Sequence, residues 1–184
     1  MHKIAHMTAA VLAATACSAQ AADVIELWPE GAPNKSTITA AEETNAQGSI
    51  FNGTRARLEV SAPANPNGKA VIVIPGGGYG NLSMSTIEKS FVPFFHSQGF
   101  TTFVLKYRLP KGNPEVPLAD ANKAVETVRS LFGKYNLHTV GVMGASAGGP
   151  LAAMSSVSCK GAACPDFSVP VSYTHLTLPT KLEV

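Results

Sequence analysis

The chain has 184 residues, of which 45% are hydrophobic and 14% are charged, and its formal net charge is +2. This composition is that of an ordinary globular protein with enough apolar residues for one sizeable core. The charge is small and is not concentrated in a basic run, which argues against binding to nucleic acid or to an anionic membrane surface.

The first 21 residues have the features of a signal peptide. His2 and Lys3 form a weakly basic start, residues 7–16 are apolar and alanine-rich, and residues 19–21 have the small-x-small pattern that precedes cleavage. The apolar run is about half the length that spans a bilayer, so no transmembrane span is expected. We expect cleavage after residue 21 and export to the periplasm or beyond. The alternative is a lipid anchor on Cys17.

Residues 22–170 predict one incomplete domain in which strands alternate with helices. A Pro/Gly-rich segment at 23–40 predicts an irregular arm. Apolar periodicity predicts strands at 49–51, 55–61, 70–74, 101–105 and 139–143. It also predicts helices at 83–98, with a kink at Pro93, and at 118–132. This alternation indicates an α/β fold with a mostly parallel sheet and flanking helices.

A tight turn is predicted where the strand at 139–143 ends. Residues 144–148 read Gly-Ala-Ser-Ala-Gly, which is the G-x-S-x-G pattern of a strand-to-helix turn. The central residue of such a turn is strained, and the residues two positions away on either side must be small. Gly144 and Gly148 meet that need, and the Ser146 hydroxyl would then project above the sheet as a nucleophile. The alternative is a plain turn in which Ser146 caps the next helix.

A second glycine loop follows the strand at 70–74. Residues 76–78 are all glycine, and their backbone N–H groups can turn towards a ligand without obstruction from side chains. The amides of Gly77 and Gly78, with that of Ala147, are candidate donors to an oxyanion. A nucleotide-binding loop is disfavoured because no third Gly and no Gly-Lys-Ser/Thr follow at the required spacing. A plain glycine turn is the remaining alternative.

These spaced motifs resemble the acetyl esterase/lipase branch of the α/β-hydrolases, close to secreted acetylxylan- and feruloyl-esterase-like proteins. The matching stretches are Trp28–Pro33, Pro75–Tyr79, Lys106–Leu109, Asp120-Ala121, Val128-Arg129 and Gly144–Gly149. The resemblance implies a partial α/β-hydrolase fold without a cofactor. It also implies a nucleophilic Ser146 and an oxyanion hole framed by Gly77, Gly78 and Ala147. Pro150 departs from the pattern, because these proteins usually have His there.

The triad acid and histidine are expected to be absent from this chain. In the α/β-hydrolase fold both follow the serine in chain order, and 38 residues follow Ser146. Residues 166–169 predict the next strand, and the later strands are expected to be missing. A serine without its base loses most of its activation, so we expect little turnover and an exposed apolar sheet edge that favours aggregation.

Residues 171–184 resemble a translated sequencing adapter. Read back through the genetic code, residues 171–180 can be encoded by a sequence that resembles the transposon end and adapter used to build sequencing libraries. Our hypothesis is an artefactual tail, and His175 is therefore not taken as the missing base. The alternative is a genuine short strand with Tyr173 and Leu176 in the core.

Several other polar residues are expected to be structural. Asp120 lies near a helix start and is expected to pair with Arg108 or Arg129. His96 and His138 are expected to be structural or exposed rather than catalytic.

Cys159 and Cys164 are the two cysteines outside the signal peptide. If the chain is exported, they can form a local disulfide, and two free thiols are the alternative. No His or carboxylate pattern accompanies them, so no metal site is expected.

Three functions remain open from the sequence. The first is an exported carboxylic ester hydrolase that acts on a small acyl ester or on acyl groups of a plant polysaccharide. The second is a serine peptidase of the same fold, and the third is a non-catalytic binding domain.

Overall fold

The structure is a computed structural model that describes residues 23–171. The predicted signal peptide lies outside the described residues, as do residues 172–184 of the predicted artefactual tail. Within the described part, no helix is long and apolar enough to cross a membrane.

The described residues form a six-stranded main sheet and a small three-stranded sheet. The strands are β1 Asp23–Glu26, β2 Glu43–Thr44, β3 Ser49–Phe51, β4 Arg57–Ser61, β5 Lys69–Ile74, β6 Leu82–Ser83, β7 Thr101–Lys106, β8 Thr139–Ala145 and β9 Phe167–Val171. The order in the main sheet is β1-β4-β7-β5-β8-β9, in which β7, β5, β8 and β9 run parallel. The predicted mostly parallel sheet is thus confirmed.

The described residues also form five helices. They are α1 Met84–Thr86, α2 Val92–Ser97, α3 Glu115–Ser130, α4 Phe132–Tyr135 and α5 Gly148–Ser158. A π-helical turn at Ile87–Phe91 joins α1 to α2, immediately before Pro93. This position suits the wider turn, because proline lacks an N–H and its ring crowds the preceding turn of an α-helix. Helix α3 begins three residues before the predicted start, and Pro117 fits within its first turn.

The burial of the central strands follows the pattern of apolar residues in their sequences. Residues 70–74 of β5 are fully buried, as expected of a continuous β-branched run covered on both faces. In β4, buried Leu58 and Val60 alternate with half-buried Arg57 and Glu59. The parallel register aligns β5 with β7 and with β8. The carboxyl ends of these three strands therefore meet at one edge of the sheet.

The prediction of an irregular segment at 23–40 was wrong for its first four residues. They form β1, which pairs antiparallel with β4, so that Ile25 lies opposite Leu58. A neighbouring strand supplied the hydrogen bonds that make this segment a strand, although its own sequence carries turn signals. Residues 166–169 were predicted to begin a strand, and β9 confirms this. Val171, the first residue of the predicted tail, is the last residue of β9.

A buried ion pair fastens the arm to the sheet. Arg108, just after β7, binds Asp120 of α3 through its backbone N–H and its guanidinium, with a shortest N–O distance of 2.7 Å. The Trp28 indole also donates to Asp120, at 2.7 Å. Another guanidinium nitrogen of Arg108 donates to the carbonyls of Pro33 and Asn34. Of the two partners predicted for Asp120, the structure selects Arg108.

The C-terminal end of α3 is tied to the segment before β9. Arg129 donates to the backbone of residues 162 and 164 and to Asp166, whose carboxylate also accepts the Val140 N–H at 2.8 Å. Cys159 and Cys164 are joined in a disulfide, which selects the bridge over the free thiols. The hydrogen bonds of Arg129 and the disulfide together hold the loop between α5 and β9 in place.

Candidate active site

The serine turn has the strained geometry that its sequence predicts. Ser146 lies between β8 and α5 with a φ of +52° and an exposed side chain. Few non-glycine residues adopt this left-handed conformation, and it costs about 1–3 kcal/mol. A Cβ atom on Gly144 would overlap the carbonyl of Gly148, and one on Gly148 would overlap the backbone of β5. Both positions therefore need glycine, and the hydroxyl is held above the sheet.

The glycine loop after β5 is a tight turn with free donors. The Gly77 carbonyl accepts hydrogen bonds from the amides of Gly80 and Asn81, at 3.1 and 3.2 Å. Gly77 has a φ of +127°, and a Cβ atom there would overlap the Asn81 carbonyl. Within residues 23–171, the amides of Gly77 and Gly78 donate to no other group. They remain available to an external acceptor.

The two loops meet at one point. A Cβ atom built on Gly76 would lie 2.8 Å from the Ser146 Cβ and 3.5 Å from its hydroxyl oxygen, so glycine is needed for this approach. A cavity of about 310 Å³ opens beside them. Its lining residues are Gly76, Gly77, Gly78, Ser83, Thr86, Ile87, Ala145 and Ser146. The structure thus brings together three of the four predicted site residues.

Ala147, the fourth predicted site residue, directly follows Ser146 and precedes the first residue of α5. It is not among the described residues that line this cavity. Its amide, like those of Gly77 and Gly78, donates to no group within the described part of the chain.

The lining of the cavity contains no imidazole and no carboxylate among the described residues. His96 contacts the Ser61 carbonyl and the Thr102 hydroxyl, and His138 contacts the Thr139 hydroxyl. His96 is thus engaged with neighbouring strands and His138 is exposed, which agrees with the prediction that the two are structural or exposed. A hydroxyl is a weak nucleophile until a base accepts its proton. The cavity therefore offers a nucleophile position and donors, and the proton acceptor is not one of its described lining residues.

Sequence analysis missed several residues of this region. Ser83 and Thr86 line the cavity, although 83–98 was considered only as a helix. Tyr107 was noted as part of a motif without a role, and its hydroxyl donates to the Pro75 carbonyl at 3.2 Å. The sequence feature that could have identified Tyr107 is its position directly after a buried strand, which in the structure is the neighbour of β5.

A larger apolar cavity lies beside the glycine loop. It has a volume of about 410 Å³ and is lined by residues of that loop, of the segment after β7 and of α5, including Tyr79, Pro150 and Met154. Pro150 occupies the first turn of α5, where proline is tolerated, so the departure from the expected His leaves the helix intact. Partial burial raises the pKa of the Tyr79 phenol above its ordinary value.

Sheet order and site geometry together define the class of protein. A strained serine turn and a glycine loop follow neighbouring parallel strands and converge at the carboxyl edge of the sheet. This combination is the core of an α/β-hydrolase, of which the described residues form a part.

Comparison with known proteins narrows the class to a family. Residues 58–174 match the BD-FAE family, and the chain belongs to it. The chain is 34% identical over 117 residues to an acetylxylan esterase from Xylanibacter ruminicola, an alignment that covers 62% of this chain and 24% of that protein.

Two solved structures support the fold. An acetyl ester-xyloside bifunctional hydrolase from Caldicellulosiruptor lactoaceticus is 29% identical, with a TM-score of 0.51 over 73% of this chain and 46% of that one. A hyperthermophilic esterase from the archaeon Pyrobaculum calidifontis is 26% identical, with a TM-score of 0.52 over 64% of this chain and 40% of that one. The chain thus spans about a quarter of the curated relative and less than half of these structures.

Proposed function

We propose that this chain carries the nucleophile and oxyanion hole of a serine esterase. Ser146 attacks an acyl carbonyl, and the N–H groups of Gly77, Gly78 and Ala147 stabilise the oxyanion that forms. The observation that carries the proposal is the approach of Gly76 to Ser146, which puts an exposed hydroxyl beside amides with no partner in residues 23–171. Such preorganised donors are a large part of catalysis in acyl transfer.

The reaction then follows from this arrangement. The Ser146 oxygen adds to the carbonyl carbon while its proton passes to a base, and the tetrahedral oxyanion collapses with loss of the alcohol. Water hydrolyses the resulting acyl-enzyme and regenerates the serine. In this fold the acid and histidine follow the serine in chain order, and the described lining of the cavity supplies neither. We therefore assign both to residues outside 23–171.

The substrate class we propose is an acyl ester, either small or on a plant polysaccharide. The match to a protein named as an acetylxylan esterase supports this choice. It also favours an ester hydrolase over a peptidase of the same fold.

We also propose that the protein is exported. The basic start, the apolar run and the small residues at 19–21 support cleavage after residue 21. The disulfide between Cys159 and Cys164 supports an oxidising compartment. N-terminal sequencing of the secreted or periplasmic protein should begin at Ala22. A protein recovered from membranes with a lipid on Cys17 would instead indicate the lipid-anchored alternative.

The activity is tested with p-nitrophenyl acetate, acetylated xylan and peptide substrates. The gene is first resequenced from its source DNA. The protein encoded by the resequenced gene (the genomic reading frame) is then assayed beside the 184-residue chain. Ser146→Ala should abolish ester hydrolysis by the genomic reading frame. The control Ser158→Ala removes a hydroxyl that bonds only the Met154 carbonyl within the described residues, and it should leave the rate unchanged.

Three results would contradict the proposal. Ester hydrolysis that survives Ser146→Ala would remove the assigned nucleophile. Activity confined to peptides would favour the peptidase, and a complete absence of turnover by the genomic reading frame would favour the binding domain.

A further inference from the structure

Tyr107 reaches from one strand of the sheet to the glycine loop. It follows β7, is fully buried, and donates its hydroxyl to the carbonyl of Pro75 at 3.2 Å. Pro75 is the first residue after β5, so this carbonyl begins the glycine loop. A side chain on one parallel strand thereby fixes the exit of the neighbouring strand.

The same carbonyl also touches the serine turn. A Cβ atom built on Gly148 would lie 2.8 Å from the Pro75 oxygen. The Pro75 carbonyl oxygen thus accepts from the Tyr107 hydroxyl and also lies close to Gly148, the first residue of α5.

The other hydrogen bonds of the loop do not supply this connection. Two of them, to the Gly77 carbonyl from Gly80 and Asn81, are internal to the loop. A third, from the Ser83 amide to the Gly76 carbonyl at 3.0 Å, ties the loop to β6 in the small sheet. Among the described side chains, Tyr107 is the one that hydrogen-bonds the loop backbone from the main sheet.

Burial also changes the acidity of the Tyr107 hydroxyl. Loss of hydration raises the pKa of this phenol, with a smaller contribution from Tyr79, whose ring packs edge-to-face on it at 6.4 Å between centroids. The shift favours the protonated phenol, which is the form that donates to the Pro75 carbonyl.

We propose that Tyr107 is a positioning residue for the oxyanion hole, which it acts on through the Pro75 carbonyl. This inference rests on the proposed esterase function of Ser146. Loss of the hydroxyl leaves the Pro75 carbonyl without its partner and allows the amides of Gly77 and Gly78 to drift from the developing oxyanion. Removal of one oxyanion donor costs about 10²–10³ in kcat, so misplacement of two retained donors should cost about tenfold.

The test is Tyr107→Phe in the genomic reading frame, with Tyr135→Phe as the matched control. Tyr135→Phe removes a hydroxyl that donates to the exposed Asp23 carboxylate and contacts neither loop. Tyr107→Phe should lower kcat for p-nitrophenyl acetate about tenfold with KM within about twofold, because the oxyanion exists only in the transition state. The inhibition constant of a trifluoromethyl ketone, which forms a tetrahedral adduct, should rise by the same factor. Tyr135→Phe should change neither quantity.

A second measurement uses the 184-residue chain and needs no turnover. Amide hydrogen exchange of Gly80 and Asn81, whose N–H groups donate to the Gly77 carbonyl, should accelerate about threefold or more in Tyr107→Phe while exchange in β5 and β8 is unchanged. Unaltered exchange at these two amides overturns the proposal, as does an unchanged kcat. A fall in kcat without a parallel loss of ketone affinity also overturns it. Esterase activity that survives Ser146→Ala refutes the proposed function itself, and the exchange experiment then still decides whether Tyr107 holds the loop.

Discussion

Replacement of Asp120 by Asn should severely destabilise the protein. The carboxylate is fully buried and accepts hydrogen bonds at 3.0 Å or less from four donor groups, namely the backbone N–H, Nε and a terminal nitrogen of Arg108 and the Trp28 indole. Asn keeps the shape but replaces one acceptor oxygen with a donor. It also leaves the Arg108 guanidinium, 2% exposed, without a counter-charge.

The size of the effect follows from this burial. Removal of one partner of a buried ion pair costs about 3–5 kcal/mol, because the other charge remains desolvated. A domain of this size loses about 2–4 °C of Tm per kcal/mol, so Tm should fall by about 6–20 °C. The matched control is Glu26→Gln, which neutralises the exposed ion pair with Arg55 and should cost at most about 1 kcal/mol.

Tryptophan fluorescence reports selectively on the arm, because Trp28 is the single tryptophan of the chain and binds Asp120 directly. Urea unfolding is followed by tryptophan fluorescence for the arm and by circular dichroism for the whole domain. If the two transitions of the variant coincide and both shift to a lower urea concentration, the ion pair supports the global fold. A loss of stability no larger than that of Glu26→Gln would refute the reasoning, since it would mean that the buried charge finds other compensation.

Three further predictions concern the loops and ties around the sheet. Gly148→Ala should lower the free energy of unfolding by about 1–3 kcal/mol, because the new methyl group overlaps the backbone of β5. The variant should also hydrolyse esters more slowly. An unchanged urea midpoint would contradict this prediction. Reduction of the disulfide, or Cys159→Ser with Cys164→Ser, should cost about 2 kcal/mol for so short a loop, measured by thermal unfolding with and without dithiothreitol. Partial burial of Asp166 opposes its ionisation, but the hydrogen bonds from Arg129 and from a β8 amide outweigh this and lower its pKa. The contribution of that carboxylate to stability is thus complete above about pH 4 and is lost as the pH falls through the lowered pKa, so Asp166→Asn should flatten the acid limb of the stability profile. An equally steep acid limb in the variant would refute the assignment.

Local sequence determined the middle of this protein and the chemistry of its two loops. Continuous β-branched runs can be stable only where both faces are covered, which placed β5, β7 and β8 at the centre of the sheet. Because parallel strands end at the same edge, the loops after β5 and β8 were expected at one edge of the sheet, and the strand order makes them neighbours there. The glycines at 76–78 and around Ser146 then showed which loops carry free amides and a strained hydroxyl.

Only the tertiary structure decided the long-range partners. The partner of Asp120 depends on which of two arginines a helix brings within reach, and helical periodicity does not contain that distance. Residues 23–26 became a strand because β4 offered an unpaired edge, although the arm as a whole carries turn residues. The bond between Tyr107 and Pro75, which are 32 residues apart, needs β5 and β7 to lie side by side, and no local pattern encodes it. Local patterns fix what each segment can form, whereas the partner that satisfies each buried polar group is fixed only when the segments pack.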